Sequence, residues 1–151
     1  MSSRSSQACK QTVCLVSACL VGLPTRYDGR TKNCLFLPLQ GFEAVPVCPE
    51  TLGGLAIPRP PSMLLGGGDD VLAGRAKVVS VAGDDVTAAF IRGAELTLEI
   101  ALARKARIAF LKGRSPSCGC CTVWIGGELR RGWGVAAALL RKHGIICIEV
   151  D

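Results

Sequence analysis

Runs of apolar residues divide the chain into segments that are typical of strands in a buried parallel sheet. Residues 12–17, 41–48, 108–111 and 145–150 are each almost continuously apolar. A strand that is covered on both faces has this pattern, whereas a half-exposed strand alternates apolar and polar residues. Pro46 removes one backbone donor, so we expect the strand over 41–48 either to lie at a sheet edge or to end near that residue.

Helical spacing of apolar residues occurs in two further segments. Asp84 or Asp85 can cap the start of the first and longer helix. Its predicted apolar face consists of Phe90, Ile91, Ala94, Leu98, Ala101 and Leu102. The second helix is predicted over 135–142 and ends before Gly144. The longer helix leads into the strand over 108–111, which is the order found in a parallel sheet with helical crossovers.

Glycine, proline and polar residues predict the hairpins and loops. Residues 75–81 read as half of a hairpin, and residues 122–129 read as a hairpin that turns at Gly126-Gly127. The segment 66–70 matches no phosphate-binding pattern and is predicted to be a flexible loop. Residues 57–61 are proline-rich, which favours a structural strap over a ligand for a partner domain. Residues 32–40 are expected to form a short helix or an irregular cover.

Together these elements predict an α/β fold in one domain, with a mostly parallel, Rossmann-like sheet flanked by helices. Residues 1–11 are polar and serine-rich, so we expect a disordered N-terminal tail before a domain that spans 12–151. Ligands bind at the carboxyl ends of the strands in such sheets. The chain has neither an apolar leader nor an apolar run of membrane-spanning length, so a cytoplasmic protein is expected.

The charge and the aromatic content restrict the classes of partner. The formal net charge is +6, which is compatible with an ordinary basic surface or with attraction for anionic ligands. Aromatic residues make up only 5% of the chain, so no stacking platform for single-stranded nucleic acid is expected. We therefore predict a small-molecule ligand, with no membrane contact and no stable nucleic-acid complex. No pattern in the sequence indicates an oligomeric state.

The chain contains nine cysteines, an odd number at irregular spacing. A disulfide framework is not expected without an oxidising compartment, so metal or cluster ligation is the better interpretation for some of them. Cys14 and Cys147 lie within predicted strands and should pack in the core. Cys9 lies in the predicted tail, and Cys34 is expected to be structural.

Three other cysteines follow the ends of predicted strands: Cys19, Cys48 and Cys118. We expect these strand ends to meet at one metal site, with Cys120 and Cys121 as additional thiols nearby. Three thiolates can hold a 4Fe-4S cluster and leave one iron open, although spacing alone does not exclude a structural zinc site.

Several polar residues near these cysteines are candidates for chemistry or binding. Glu50 lies two residues after Cys48, where a carboxylate can act as ligand, base or acid. The segment 26–30 contains Arg26, Tyr27, Asp28 and Arg30, which either bind substrate or form a solvated turn tied by an Asp–Arg pair. His143 is the only histidine, and its place at a predicted helix end favours capping over catalysis.

Six short motifs occur in order along the chain. They are Ser17-Ala18-Cys19-Leu20, Arg26-Tyr27-Asp28-Gly29, Val47-Cys48-Pro49-Glu50-Thr51-Leu52-Gly53-Gly54-Leu55, Pro58-Arg59-Pro60-Pro61, Asp85-Val86-Thr87 and Ser115-Pro116-Ser117-Cys118-Gly119. As an ordered set these motifs resemble the thiouracil desulfidase (TudS) family, formerly a domain of unknown function. The resemblance extends from about Val13 to Val150, which is nearly the whole chain.

The resemblance implies a non-redox desulfidase that depends on a 4Fe-4S cluster. By motif, the three ligands are Cys19, Cys48 and Cys118, and the open iron binds the sulfur of a thiolated uracil. Water then replaces that sulfur at the ring carbon, which yields a uracil compound and sulfide. The expected substrates are 4-thiouracil, 2-thiouracil or 4-thiouridine nucleotides.

The family motifs also imply residues that assist the reaction. Glu50 corresponds to a glutamate that transfers protons. Ser115 corresponds most closely to a serine that orients the substrate or relays a proton, with Ser117 as the alternative. We further expect Arg26, Asp28 and Ser117 to bind substrate. Arg26, Arg30 and Arg59 would suit a phosphate-bearing substrate.

The chain departs from the family pattern at Cys120-Cys121, where a small polar residue and a glycine are common. An additional thiolate near the cluster could occupy the open iron, or both side chains could face the core. The alternative to an enzyme is therefore a cluster-binding sensor or carrier without turnover.

Overall fold

A central parallel sheet connects the predicted strands. The computed structural model describes residues 11–30 and 39–151. The four strands of this sheet are β1 (Thr12–Ser17), β2 (Phe42–Val47), β5 (Ile108–Lys112) and β8 (Ile146–Val150). Their spatial order is β2-β1-β5-β8, and every neighbouring pair is parallel. The predicted α/β class with a mostly parallel sheet is confirmed.

Pro46 lies where its missing donor is tolerated. Strand β2 is an edge strand of the parallel sheet, and it ends one residue after Pro46. Both conditions that the sequence left open are therefore met. The chain turns directly after this edge strand into Cys48 and the short helix that follows.

A second, smaller sheet was not foreseen as a separate layer. Its strands are β3 (Ser62–Leu64), β4 (Val78–Ser80), β6 (Thr122–Ile125) and β7 (Glu128–Arg131), in the order β4-β3-β6-β7. The predicted hairpin over 122–129 is confirmed, and the strand predicted within 75–81 pairs antiparallel with β3. The hairpin β3-β4 joins the hairpin β6-β7 through one parallel residue pair, Leu64 with Ile125. A single pair between segments about sixty residues apart leaves no periodic signal in the sequence.

Within the described ranges of the chain, four α-helices cover the sheets. They are α1 (Pro49–Leu52), α2 (Gly68–Leu72), α3 (Thr87–Arg104) and α4 (Val135–Lys142), and a 3-10 turn over Ala18–Val21 follows β1. The predicted bounds of α4 are confirmed. Among the residues that the structure describes, none of the helices has the length and apolar character needed to cross a membrane. The predictions for residues 1–10, including Cys9, lie outside the described residues, as does nearly all of 32–40 with Cys34.

The apolar face of α3 differs in one respect from its prediction. Phe90, Ala94 and Ala101 are buried as expected, but Leu102 is 57% exposed. Gly93 and Thr97 are buried instead, and Gly93 lies where the helix packs closely against α1. The hydroxyl of Thr97 is satisfied within the helix, since it donates to the Gly93 carbonyl at 2.7 Å. The predicted cap by Asp84 or Asp85 is wrong, since Val86 is the N-cap residue and makes no side-chain capping hydrogen bond. Asp85 lies one residue earlier, and its carboxylate accepts the Thr87 N–H at 3.0 Å.

The glycine-rich segment 66–70 is not a flexible loop, so that prediction was wrong. Helix α2 begins at Gly68, with Asp69 and Asp70 in its first turn, where negative charge suits the helix dipole. The Gly68 N–H donates to the Trp133 carbonyl at 2.7 Å. A Cβ at Gly68 would lie 2.4 Å from the Gly134 carbonyl oxygen, so glycine is needed here for close approach rather than for mobility.

Helix α3 also approaches α1 at a distance that excludes side chains. A Cβ at Gly93 would lie 1.9 Å from the Pro49 carbonyl oxygen, and one at Gly53 would lie 2.0 Å from the Ala89 carbonyl oxygen. Since α1 carries Glu50 in its first turn, this contact places a buried carboxylate.

Gly93→Ala is expected to destabilise the fold by about 1–3 kcal/mol, because the backbone of α1 must move to admit the methyl group. Denaturant unfolding measures this loss. Gly67→Ala is the matched control, since a Cβ at Gly67 has no neighbour within 4 Å, and it should change stability by no more than about 0.5 kcal/mol. Equal stability of the two variants would contradict the close packing.

Candidate metal centre

Three cysteines meet at the carboxyl edge of the parallel sheet. Cys19 lies in the turn after β1, Cys48 directly follows β2, and Cys118 lies in the loop after β5. These strands are neighbours in the order β2-β1-β5, so their ends are adjacent. The three side chains line one cavity of about 370 Å³. The structure therefore brings together the thiols that the sequence selected from nine.

The N-terminus of α4 holds the loop that carries Cys118. The backbone N–H groups of Val135 and Ala137 donate to the carbonyls of Pro116 and Ser117 at 2.9 and 3.0 Å. These donors belong to the first turn of a helix, where N–H groups have no partner within the helix. A Cβ at Gly134 would lie 2.5 Å from the Ser117 carbonyl carbon, so the helix start and the loop are in direct backbone contact.

Two serine hydroxyls fix this loop and the end of the strand that precedes it. Ser115 Oγ accepts the N–H groups of Ser117 and Cys118 at 3.2 and 3.0 Å. Ser17 Oγ, which is 2% exposed, accepts the Lys112 N–H at 2.9 Å. From the sequence, no role was predicted for Ser17. A hydroxyl at the end of an otherwise apolar strand could have indicated a residue that bonds to the neighbouring strand near the site.

The thiols affect the protonation of one another. Burial raises the pKa of Cys118 to about 12, and the charges of Cys48 and Cys19 also raise it, against hydrogen bonds from Ser17 and Ser117 that lower it. Burial and then the charge of Cys48 raise the pKa of Cys19, while Lys112 and Arg26 lower it. Three thiolates in this cavity therefore need a cationic centre between them, since the thiolate is the form that binds metal.

The three thiols that share the cavity are donors of the kind that an iron–sulfur cluster takes. Within the described ranges 11–30 and 39–151, no three His, Cys, Asp or Glu side chains are grouped so that they could hold one metal ion. A structural zinc needs cysteine ligands about 2.3 Å from one point. A 4Fe-4S cluster offers each thiolate a separate iron, so three thiols that line one cavity can hold it.

A buried carboxylate lies beside the thiols. Glu50 is 9% exposed and is the second residue of α1, directly after Pro49. Its Oε2 accepts the Ser117 hydroxyl at 3.0 Å, and its Oε1 accepts the Arg59 Nε–H at 3.0 Å. Ser117 Oγ also lies 3.8 Å from Cys118 Sγ. Arg59 lines the cavity with its Nε–H bonded to this carboxylate, and its contact with a substrate phosphate stays a prediction.

The two serines of this loop differ in position relative to Glu50. Ser117, which the sequence left as the alternative, contacts the carboxylate directly. Ser115 Oγ lies 3.1 Å from Ser117 Oγ and already accepts two backbone N–H groups, so its proton is directed to Ser117. The hydrogen bonds thus run from Ser115 through Ser117 to Glu50.

The mouth of the cavity combines aromatic and cationic side chains. Arg26, Tyr27, Lys112 and Trp124 all line it, and Trp124 is 51% exposed. Trp124 lies on β6 of the second sheet, and the hairpin pattern of that segment gave no signal for a site.

Asp28 lies beside the site rather than in it. It is not among the described residues that line the cavity. Its carboxylate lies 3.7 Å from Arg26 Nη2 and accepts the Arg30 N–H at 2.9 Å. The Asp–Arg pair that the sequence allowed is therefore present. Arg30 itself is exposed and does not line the cavity either.

The additional cysteines after Cys118 do not line the cavity. Cys120 is buried in the core with Cys147, and burial, followed by the charge of Cys147, raises its pKa to about 12. Cys121 is exposed. His143 acts at the end of α4, where its Nδ1 lies 3.1 Å from the Leu139 carbonyl, in agreement with the predicted cap.

Comparisons with known proteins identify the family of the chain. The family model described as 2-thiouracil desulfurase matches residues 14–151. The protein YbbK of Bacillus subtilis (strain 168) is 42% identical over 136 residues, which cover 86% of this chain and 90% of that protein. A solved structure of the 4Fe-4S-dependent thiouracil desulfidase TudS is similar with a TM-score of 0.81 at 42% identity, over 94% of this chain and 92% of that one. The resemblance found in the sequence is confirmed, and the chain belongs to the 2-thiouracil desulfurase family.

Proposed function

We propose that this protein is a 4Fe-4S-dependent desulfidase that converts thiolated uracil compounds to uracil compounds with release of sulfide. The observation that carries the proposal is one cavity lined by three cysteine thiols with a buried carboxylate and a serine hydroxyl beside them. In the overall reaction, water supplies the oxygen that replaces the ring sulfur, and the sulfur leaves as hydrogen sulfide. Atoms balance without an oxidant or a reductant.

Cys19, Cys48 and Cys118 would hold the cluster through three of its irons. When bound, the cluster supplies an open Lewis-acid iron for the substrate sulfur, since a soft metal centre suits a soft ligand. No fourth thiol among the described residues lines the cavity, because Cys120 is buried in the core and Cys121 is exposed elsewhere. This supports an enzyme with an open position over a sensor or carrier whose cluster is fully ligated.

Glu50 and Ser117 would move the protons of the reaction. Ser117 Oγ donates to Glu50 Oε2 at 3.0 Å, so Ser117 can take a proton from the attacking water as it passes its own to the carboxylate. Reversal of this transfer returns a proton to the ring or to the departing sulfur. Ser115 would fix the loop and direct a hydrogen bond to Ser117, which is a positioning role rather than the direct role that the sequence favoured.

The aromatic and cationic mouth of the cavity would receive the pyrimidine ring. Tyr27 and Trp124 offer surfaces for stacking, and Arg26, held by Asp28, offers donors to ring oxygens. The substrate is a small thiolated pyrimidine such as 4-thiouracil, 2-thiouracil or a 4-thiouridine nucleotide.

Trp124→Ala is expected to raise KM for 4-thiouracil about tenfold with kcat nearly unchanged, because stacking of a base on an aromatic ring contributes roughly 1–3 kcal/mol. Steady-state kinetics of the loaded enzyme measures both constants. Ile146→Ala on the edge strand β8 is the control, since Ile146 is exposed and does not line the cavity. A fall in kcat with KM unchanged would show that Trp124 does not contribute to substrate binding, which would contradict the prediction.

The test of the function is anaerobic purification followed by iron and acid-labile sulfide analysis and a sulfide-release assay. We expect about four irons and four sulfides per chain and turnover of at least one of 4-thiouracil, 2-thiouracil and 4-thiouridine 5′-monophosphate. A loaded protein that turns over none of them would support the sensor or carrier. Zinc without iron or labile sulfide would support a structural metal site.

A further inference from the structure

Arg59 is a buried arginine whose contacts join three parts of the site. Its side chain is 6% exposed. Nε donates to Glu50 Oε1, Nη1 donates to the Ala56 carbonyl and Nη2 donates to the Thr25 carbonyl, each at 3.0 Å. Burial of a charge is costly unless it is paired and hydrogen-bonded, and here each guanidinium nitrogen has a partner.

The Thr25 carbonyl links Arg59 to a candidate cluster ligand. It accepts Arg59 Nη2–H at 3.0 Å and the Cys48 thiol at 3.7 Å. The backbone of Arg59 also donates to the Tyr27 carbonyl at 2.7 Å. One residue of the proline-rich segment therefore contacts the segment 25–27, which lies against Cys48, and also the carboxylate of Glu50.

We propose that Arg59 is a positioning residue that fixes which oxygen of Glu50 takes part in proton transfer. Because Arg59 occupies Oε1, the carboxylate plane is set so that Oε2 faces Ser117 and the cavity. This inference rests on the proposed desulfidase function and adds to it a residue that lines the cavity and acts through Glu50.

The planar fork of arginine is necessary for this role. Nε and Nη2 point in fixed directions, so Arg59 can hold Glu50 and the Thr25 carbonyl at the same time. A lysine keeps the charge but offers a single nitrogen on a flexible chain. Arg59→Lys therefore keeps a cation in the site and removes the fixed orientation of the carboxylate.

The test uses the anaerobically loaded enzyme with Arg59→Lys. We expect kcat for 4-thiouracil to fall about 10–100-fold, since small displacements of catalytic groups have effects of this size, and KM to change less than about twofold. Iron content, labile sulfide and the visible absorption spectrum should equal those of the unchanged protein. Arg75→Lys is the matched control, because Arg75 makes an exposed ion pair with Asp70 outside the cavity.

A double-mutant cycle with Glu50→Gln separates positioning from general structural support. If Arg59 acts through Glu50, adding Arg59→Lys to Glu50→Gln should lower the single-turnover rate by less than about twofold further. The loss in melting temperature of the double variant should likewise be smaller than the sum of the losses in the two single variants.

Three results would overturn the inference while the desulfidase function stands. They are an equal loss from Arg59→Lys in both backgrounds, a loss of cluster in Arg59→Lys, or a rise in KM with kcat unchanged. Absence of sulfide release from the unchanged, loaded protein would instead overturn the proposed function, and the role of Arg59 with it.

Discussion

Cys118→Ser is expected to prevent stable cluster binding and to reduce sulfide release more than about 100-fold, since even residues that only support metal ligands contribute 10–100-fold in affinity or activity. Cys118 lies in the loop that α4 and Ser115 hold, so it would supply one of the three proposed thiolates from a backbone that the chain itself positions. A serine hydroxyl is a harder donor than a thiolate and is a poor ligand for an iron–sulfur centre. Iron content, labile sulfide and visible absorption after anaerobic reconstitution measure the first effect, and the thiouracil assay measures the second.

The control for this variant is Cys147→Ser. Cys147 is partly buried in the core on β8, and its thiol donates to the carbonyls of Ala137 and Ile145 rather than lining the cavity. We expect this variant to retain full iron content and activity, with at most a modest loss of stability. If Cys118→Ser kept a cluster with normal iron content, the assignment of the three ligands would be wrong.

Glu50→Gln is expected to lower kcat by roughly 10²–10⁴-fold, which is the usual contribution of general acid–base catalysis. Glutamine keeps the size of the side chain and can still accept a hydrogen bond from Ser117, but it cannot take up a proton. The variant should retain the cluster, because Glu50 is not among the proposed ligands. Single-turnover measurement of sulfide release, with iron analysis of the same sample, separates the chemical step from loss of the cofactor.

Glu43→Gln is the matched carboxylate control. Glu43 lies on β2 and pairs with Arg104 at an exposed site outside the cavity. We expect its activity to remain within about twofold of the unchanged enzyme, since exposed ion pairs contribute little. Equal activity of Glu50→Gln and the unchanged enzyme would exclude Glu50 from proton transfer and leave water or another group as the acceptor.

The strands and the selection of cysteines were accessible from sequence because both depend on local pattern. The central strands β1 and β5 are buried along most of their length and form apolar runs in the sequence. The edge strands β2 and β8 are also mostly apolar in sequence, although they are partly exposed. Cys19 and Cys48 follow such runs within two residues, and strand ends in this kind of sheet share one edge. The same reasoning distinguished them from Cys14, which lies inside β1 and is fully buried.

The parts that were missed depend on contacts between distant segments. Arg59 and Ser117 are 9 and 67 positions from Glu50, and no short motif encodes the fact that they contact opposite oxygens of one carboxylate. Trp124 reaches the cavity only because the second sheet packs beside it. Gly68 resembled a loop residue because a glycine run is the same in sequence whether it gives flexibility or allows close backbone contact.

The attachment of the ligand loop to α4 has a consequence for protein repair after exposure to air. The loop carbonyls of Pro116 and Ser117 and the backbone N–H of Cys118 are all satisfied by polypeptide groups. The shape of the loop is therefore maintained by the chain itself rather than by bonds to an inorganic group. If oxygen destroys an iron–sulfur centre here, the loop should keep its folded shape. Fresh iron and sulfide should then restore the enzyme without refolding of the chain.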